Sequence, residues 1–144
     1  MKLTSFTDYT LRVLMYLALH PDRLATILEI AEAYDISENH LMKVVHHLAK
    51  SGIVESVRGK GGGIRLAIPA SEIRVGRVVR EAEGEMPIVE CFSTDDHCKI
   101  TANCKLAGVL ARAFEALYTS LDAYTLADLI VKPQGLVRLL RMER

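Results

Sequence analysis

The chain has 144 residues, half of them apolar, and its 18 basic and 18 acidic side chains cancel to zero formal net charge. That length supports one packed core, or one small domain with an appended helical element. No stretch approaches the ~20 apolar residues of a membrane-spanning helix, so no membrane partner is expected and a cytoplasmic location is.

Ser5, with Asp8 on the next turn, has the form of a capping box, and Leu11, Leu14, Met15 and Ala18 recur on one face of a first helix that ends near His20 and Pro21. Thr26 and Glu29 repeat the pattern for a short second helix through Tyr34. Past a turn at Asp35, Ser37 is placed to cap a third helix that stops at Ser51 and Gly52. The apolar face of this helix is Leu41, Val44, Val45 and Leu48; its other face shows Glu38, Asn39, Met42, Lys43, His46, His47 and Lys50. The period then changes. Ile53 to Val57 reads as a strand and Ile64 to Ile68 as its partner, with RGKGGG supplying glycines for the turn between them. Two short helices joined by a turn and followed by a glycine-tipped hairpin make a winged helix-turn-helix.

Pro69 and Ala70 close the wing, and Val75, Val78, Val79 and Ala82 mark a short helix up to Gly84. A polar segment with all three cysteines follows. From Cys104 onward Leu106, Val109, Leu110, Ala113, Phe114, Leu117 and Leu121 form an apolar stripe on a helix of roughly 18 residues, about 27 Å long. The preceding elements are too small to cover that stripe, so antiparallel pairing with the same helix of a second subunit is inferred. YTLADLI and GLVRLLRMER complete the chain as one or two short helices around Pro133. The expected class is mainly α with a small β-hairpin. Its expected divisions are a DNA-binding region over 1–84, a cysteine loop over 85–104, and dimerisation and C-terminal helices over 105–144.

Charge is unevenly distributed. Between Ile36 and Leu66 stand Lys43, Lys50, Arg58, Lys60 and Arg65 against only Glu38 and Glu55, with His40, His46 and His47 among them. Lys43, His46 and Lys50 on the third helix, with Arg58, Lys60 and Arg65 on the wing, are therefore expected to face a polyanion such as duplex DNA. Ser37, Glu38, Asn39 and His40, at the start of the same helix, are placed for base or near-base contacts. The acidic residues between Glu81 and Asp96 would repel such a partner. No nucleophile and base set is recognisable, and GKGGG lacks the spacing and Ser/Thr of a phosphate-binding loop, so no enzyme is expected.

Cys91, Cys98 and Cys104, with six and then five residues between them, cannot all pair within one chain. Three thiolates suit a soft metal centre but leave one position to fill, and the CxxC pair usual in structural zinc sites is missing. The spacing alone leaves three readings open: an iron-sulfur cluster with a non-cysteine fourth ligand, a zinc site completed by His97, or structural or redox-reactive thiols.

LTSFTDYTLRVLMYLA, ISENHLMKVVHHLAKSGIVESVRGKGGGIRLAIPASEIRVGRVVREAE, the three-cysteine loop and YTLADL together resemble the iron-sulfur winged-helix regulators, and among these the nitric-oxide-sensing repressors. The likeness covers nearly the whole chain. It implies a homodimer that binds a palindromic promoter site, dimerises through the long helix and releases DNA when nitric oxide attacks its cluster. It also implies Cys91, Cys98 and Cys104 as ligands and Asp8 of the partner subunit as the carboxylate completing a 4Fe-4S cluster; Arg12, one turn after Asp8, either stands in the cluster's surroundings or pairs with that carboxylate. IscR-type members carry a histidine three residues after the last cysteine, where this chain has Ala107, which weighs against a 2Fe-2S site. The alternative functions are an iron-sulfur or redox-status regulator of the same fold, and a winged-helix protein-interaction module with structural or zinc-binding cysteines.

Overall fold

The computed structural model describes residues 1–84 and 87–141. Glu85 and Met86, which open the expected cysteine-loop segment, and Met142, Glu143 and Arg144, which end the expected terminal helix, lie outside the described residues. The elements are α1 (Ser5–Leu19), α2 (Ile27–Tyr34), α3 (Glu38–Lys50), β1 (Val54–Val57), β2 (Gly63–Leu66), α4 (Val75–Glu83), α5 (Lys105–Asp122) and α6 (Pro133–Leu139), with short 3-10 turns between them. The expected class, mainly helical with one antiparallel hairpin and a long C-terminal helix, is the observed one.

Helix α1 is the centre of the molecule. Val13 and Leu14 are fully buried, and so are Ile30 of α2, Leu41, Val44 and Leu48 of α3, and Ile53 at the entry to the wing. Each such side chain contributes about 1.5–3 kcal/mol by leaving water. Leu126, far along the chain, is equally buried in this core, and its N–H donates to the Ile73 carbonyl at 2.8 Å. The segment around it was expected to be helical. It instead forms an isolated antiparallel bridge, Arg74 to Thr125, before a 3-10 turn over Ala127–Ile130. The backbone follows the Val75 N–H, which donates to the Tyr124 carbonyl at 3.0 Å, rather than the local 3.6-residue period.

The caps also depart from expectation in one place. Thr26 and Glu29 do form a capping box at α2. At α1, however, the cap is Thr4, whose hydroxyl accepts from the Thr7 N–H at 3.2 Å, and Ser5 is already helical. Asp8 does not fold back onto the helix start, because the Arg12 guanidinium takes both of its oxygens, at 2.7 and 3.1 Å. The acceptor that a capping box needs for the cap's own N–H comes instead from Glu83, at the far end of α4 (Thr4 N–H to Oε1, 2.8 Å).

The hairpin pairs Val54 with Leu66 through Val57 with Gly63, so the strands are shorter than the expected runs. Ile64 also exchanges both backbone hydrogen bonds with Ala25, at 2.7 and 2.9 Å, which stitches the wing's stem to the residue ahead of α2. At the tip Gly59 and Gly61 have φ of 98° and 74°, and a Cβ on Gly62 would lie 2.2 Å from the Val57 carbonyl oxygen. The glycines are a steric requirement of this turn.

Helix α5 lies along α4. Arg80 donates to Asp122 at 2.7 Å, approaches Glu115 at 3.5 Å and stacks over the Tyr118 ring, 4.6 Å from its centroid. The two helices come this close because residue 76 has no side chain: a Cβ there would stand 2.1 Å from Asp122 Oδ1 and 2.9 Å from the Asp122 backbone nitrogen. No helix among the described residues is long and apolar enough to cross a membrane.

Two predictions come from this packing. Gly76→Ala should force α5 off α4 and lower stability by about 1–3 kcal/mol in urea unfolding, the usual cost of overpacking. Tyr34 donates its hydroxyl to the Arg12 carbonyl at 3.0 Å, and burial, opposed by the Arg12 charge, pushes its phenol from 10.0 up to about 12. Because the folded value is the higher one, this group's contribution is complete below pH 10.0 and is lost as pH rises towards about 12. Tyr34→Phe should cost about 1 kcal/mol at neutral pH through the lost hydrogen bond and should flatten that alkaline decline in urea titrations run across the range.

Candidate DNA-binding surface and cysteine loop

The turn between α2 and α3 is made by Asp35, held at φ 54° in the left-handed region while its N–H bonds back to Ala31 and Glu32. Ser37 then caps α3 by accepting the His40 N–H at 3.3 Å. Burial of Leu41, Val44, Val45 and Leu48 turns the opposite side of α3 outward, and Ser37, Glu38, Asn39, His40, Lys43, His46 and Lys50 are all exposed. Arg58, Lys60 and Arg65 are exposed on the wing. Among the described residues no carboxylate is ion-paired with Lys43, Lys50, Arg58 or Lys60, whereas Arg65 is paired with Glu55 across the hairpin. The four free cations are thus available to phosphate, and Arg65 must leave or share Glu55 to join them.

Two aromatic contacts tie this surface to α1. Phe6 packs edge-on against His47 with centroids 5.4 Å apart, and Tyr9 lies 6.1 Å from His40. Between them an apolar depression of about 220 Å³ is lined by Ser5, Phe6, Tyr9, His40, Lys43 and Val44. Arg12, the partner of Asp8, sits 5.9 and 5.8 Å from the Tyr9 and Tyr34 ring centroids, so the Asp8 carboxylate and the recognition helix lean on the same stretch of α1.

The cysteine loop runs from α4 to α5 through 3-10 turns at Glu90–Phe92 and Thr101–Asn103. All three thiols are free and half-buried. Cys98 is positioned by its N–H, which donates to Asp96 at 2.9 Å, and by its carbonyl, which accepts the Thr101 hydroxyl at 3.2 Å. Desolvation, reinforced by the charges of Asp96, Cys104 and Cys98, holds the Cys91 thiol above its ordinary value. The three sulfurs are the right donors for a soft metal. They are not gathered to ligand distance: among the described residues no set of three or more His, Cys, Asp and Glu side chains is arranged to hold a metal. Asp8 is not brought to them within the chain but is engaged by Arg12.

Sequence reasoning did not find Glu83. Its Oε1 accepts from the Thr4 N–H, the Thr4 hydroxyl at 3.0 Å and the Thr7 hydroxyl. Burial pushes this carboxyl up, but those donors outweigh it and hold it below the ordinary glutamate range. The only sign in the sequence is that Thr4, taken as the cap, has Thr7 and no Glu or Gln at the box position three residues on.

A helix-turn-helix with an outward basic face, a glycine-tipped wing stitched to it and a thiol loop leading into a long helix define the class of winged-helix DNA-binding regulators. The sequence pattern of Rrf2, described as an iron-dependent transcriptional regulator, matches residues 3–132. The HTH-type transcriptional regulator NsrR of Bacillus subtilis (strain 168) is 48% identical over 145 residues, covering 99% of both chains. Among solved structures, T. potens IscR superposes with a TM-score of 0.75 at 26% identity over 94% of this chain and 90% of that one. Staphylococcus aureus CymR gives 0.71 at 28% identity over 89% and 97%. The chain belongs to the Rrf2 family of winged-helix iron-sulfur transcription regulators. As a member it is a DNA-binding, homodimeric repressor and not an enzyme.

Lys60→Ala should weaken binding to specific and non-specific duplexes alike and reduce the magnitude of the salt slope by roughly one, measured by titration at several ionic strengths.

Proposed function

We propose that this repressor senses nitric oxide through an iron-sulfur cluster held by Cys91, Cys98 and Cys104 of one subunit and Asp8 of the partner subunit. The observation that carries the reading is the position of Cys104. It is the N-cap residue of α5, and no side chain caps that helix, so whatever Cys104 binds sits directly on the element assigned to dimerisation. No residue of α5 is buried; Leu106 and Val109 are 60% and 50% exposed, and Leu110, Ala113, Phe114, Leu117 and Leu121 continue their stripe. That apolar face, left over once α5 has docked on α4, is the dimer interface.

A 4Fe-4S cluster is the assignment, supported by the carboxylate at Asp8 and by Ala107 standing where IscR-type members have histidine. When bound, the cluster supplies iron open to attack by nitric oxide. The chain's own residues do the rest. Three thiolates hold firmly, while the Asp8 oxygen is the harder and more readily displaced donor, with Arg12 beside it to receive the carboxylate. Because Asp8 lies on the helix that touches α3 through Phe6 and Tyr9, losing that ligand alters the relation of the two recognition helices. Their separation must match about one turn of DNA, roughly 34 Å, or a multiple, to engage a palindromic operator. Lys43, His46, Lys50, Arg58, Lys60 and Arg65 contact the backbone, and Ser37, Glu38, Asn39 and His40 approach the bases.

Anaerobically purified protein exposed to nitric oxide should lose its iron-sulfur absorption and release the operator in parallel. Operator affinity unchanged after complete nitrosylation would refute the sensing role; stoichiometric zinc without sulfide would refute the ligand chemistry. Cys98→Ser should abolish stable cluster assembly, whereas Asp8→Ala should leave an altered, weaker cluster, since three thiolates remain.

A further inference from the structure

Glu83 is the last helical residue of α4, and the chain runs from it through Gly84 into the cysteine loop. Its hydrogen bonds cross from there to the first turn of α1, where Thr7 immediately precedes Asp8. Three donors converge on one oxygen. Thr4 and Thr7 are themselves joined, the Thr7 N–H donating to the Thr4 hydroxyl at 3.2 Å, so cap and carboxylate form one network. Thr7 is completely buried, and if Glu83 moves its hydroxyl is left with the Thr4 hydroxyl, 3.1 Å away, as its partner. A shift of the α4 terminus by about 1 Å away from α1 would carry the Thr4 N–H and hydroxyl contacts, at 2.8 and 3.0 Å, beyond hydrogen-bond range.

An ordinary capping box closes within one helix and reports only on that helix. This one is closed by a residue far along the chain, so the start of α1 is held in part by the root of the cysteine loop. The same α1 turn carries Phe6 and Tyr9, which meet His47 and His40 of the recognition helix. Resting on the cluster reading above, we infer that Glu83 is a positioning residue, transmitting the state of its own subunit's cysteine loop to α1 and so to both Asp8 and the recognition helix. In the dimer this has a further effect: α1 of one subunit lends Asp8 to the partner's cluster, so Glu83 links the two cluster sites.

The test compares wild type, Glu83→Ala, Glu83→Gln and Thr7→Val, each as full-length dimer, cluster-loaded and cluster-free. Two quantities are read: the ratio of operator affinities between the two forms, and the difference in amide exchange at Thr7 and Asp8 between them. Wild type should show both. Glu83→Ala should reduce the affinity ratio at least about fivefold, within the usual span of coupling between sites, and should erase the exchange difference with iron and sulfide content retained. Glu83→Gln, which keeps an acceptor oxygen, should fall between. If Glu83→Ala cannot be loaded or fails to fold, Thr7→Val, nearly isosteric, decides by the same two quantities. A Glu83→Ala protein, or in its place Thr7→Val, that keeps the wild-type ratio and exchange difference overturns the inference alone. A wild type whose operator affinity and α1 exchange do not depend on the cluster overturns both the inference and the reading it rests on.

Discussion

Everything in this structure is arranged around the burial of α1. A helix whose Thr7, Thr10, Val13, Leu14 and Leu17 are all buried needs cover on several sides, and a chain this small has few elements to give. Helices α3 and α4, strand β2 and the turn around Leu126 all pack on it. The recognition helix is outward-facing because its inner side is used on α1, and the wing is fixed in direction because Ile64 must reach both this core and Ala25. Functional geometry here is a by-product of covering one helix.

That cover runs out at α5. Its docking to α4 uses Arg80, Asp122, Glu115 and the missing side chain at Gly76. A contact of this kind fixes orientation while leaving Leu106 and Val109 of the helix's apolar stripe exposed. In a family of homodimers such an arrangement is economical, since exposed apolar side chains on a helix of fixed orientation remain available for a partner.

The fold was legible in the sequence where structure is local. The stripe Leu41, Val44, Val45 and Leu48, the box at Thr26 and Glu29 and the glycine run at the wing each state their own conformation through side-chain period or steric permission. The C-terminal part was less so: around Leu126, backbone pairing with Ile73 and Val75 overrides the local pattern, and no window of sequence contains both partners. The same limit explains the misread cap at α1. Thr4 and Ser5 are equally good caps by chemistry, and what selects Thr4 is Glu83. Of the site, the basic face and the three thiols could be read directly, because exposure and donor type follow from residue identity. The engagement of Arg65 by Glu55 and of Asp8 by Arg12 follows from register and helix spacing, which mark a pair as within reach without showing that it forms.

The burial of Leu126 also bears on how the protein is made. Synthesis delivers α1, the helix-turn-helix and the wing first, yet the core they share still lacks a side chain encoded long after them, and Ile73 still lacks the N–H its carbonyl will accept. Until that stretch emerges from the ribosome, a nascent chain has a recognition helix and a wing but an open socket beneath them. The core beneath the recognition helix is therefore complete only once the stretch around Leu126, which follows the loop and the long helix, has been translated.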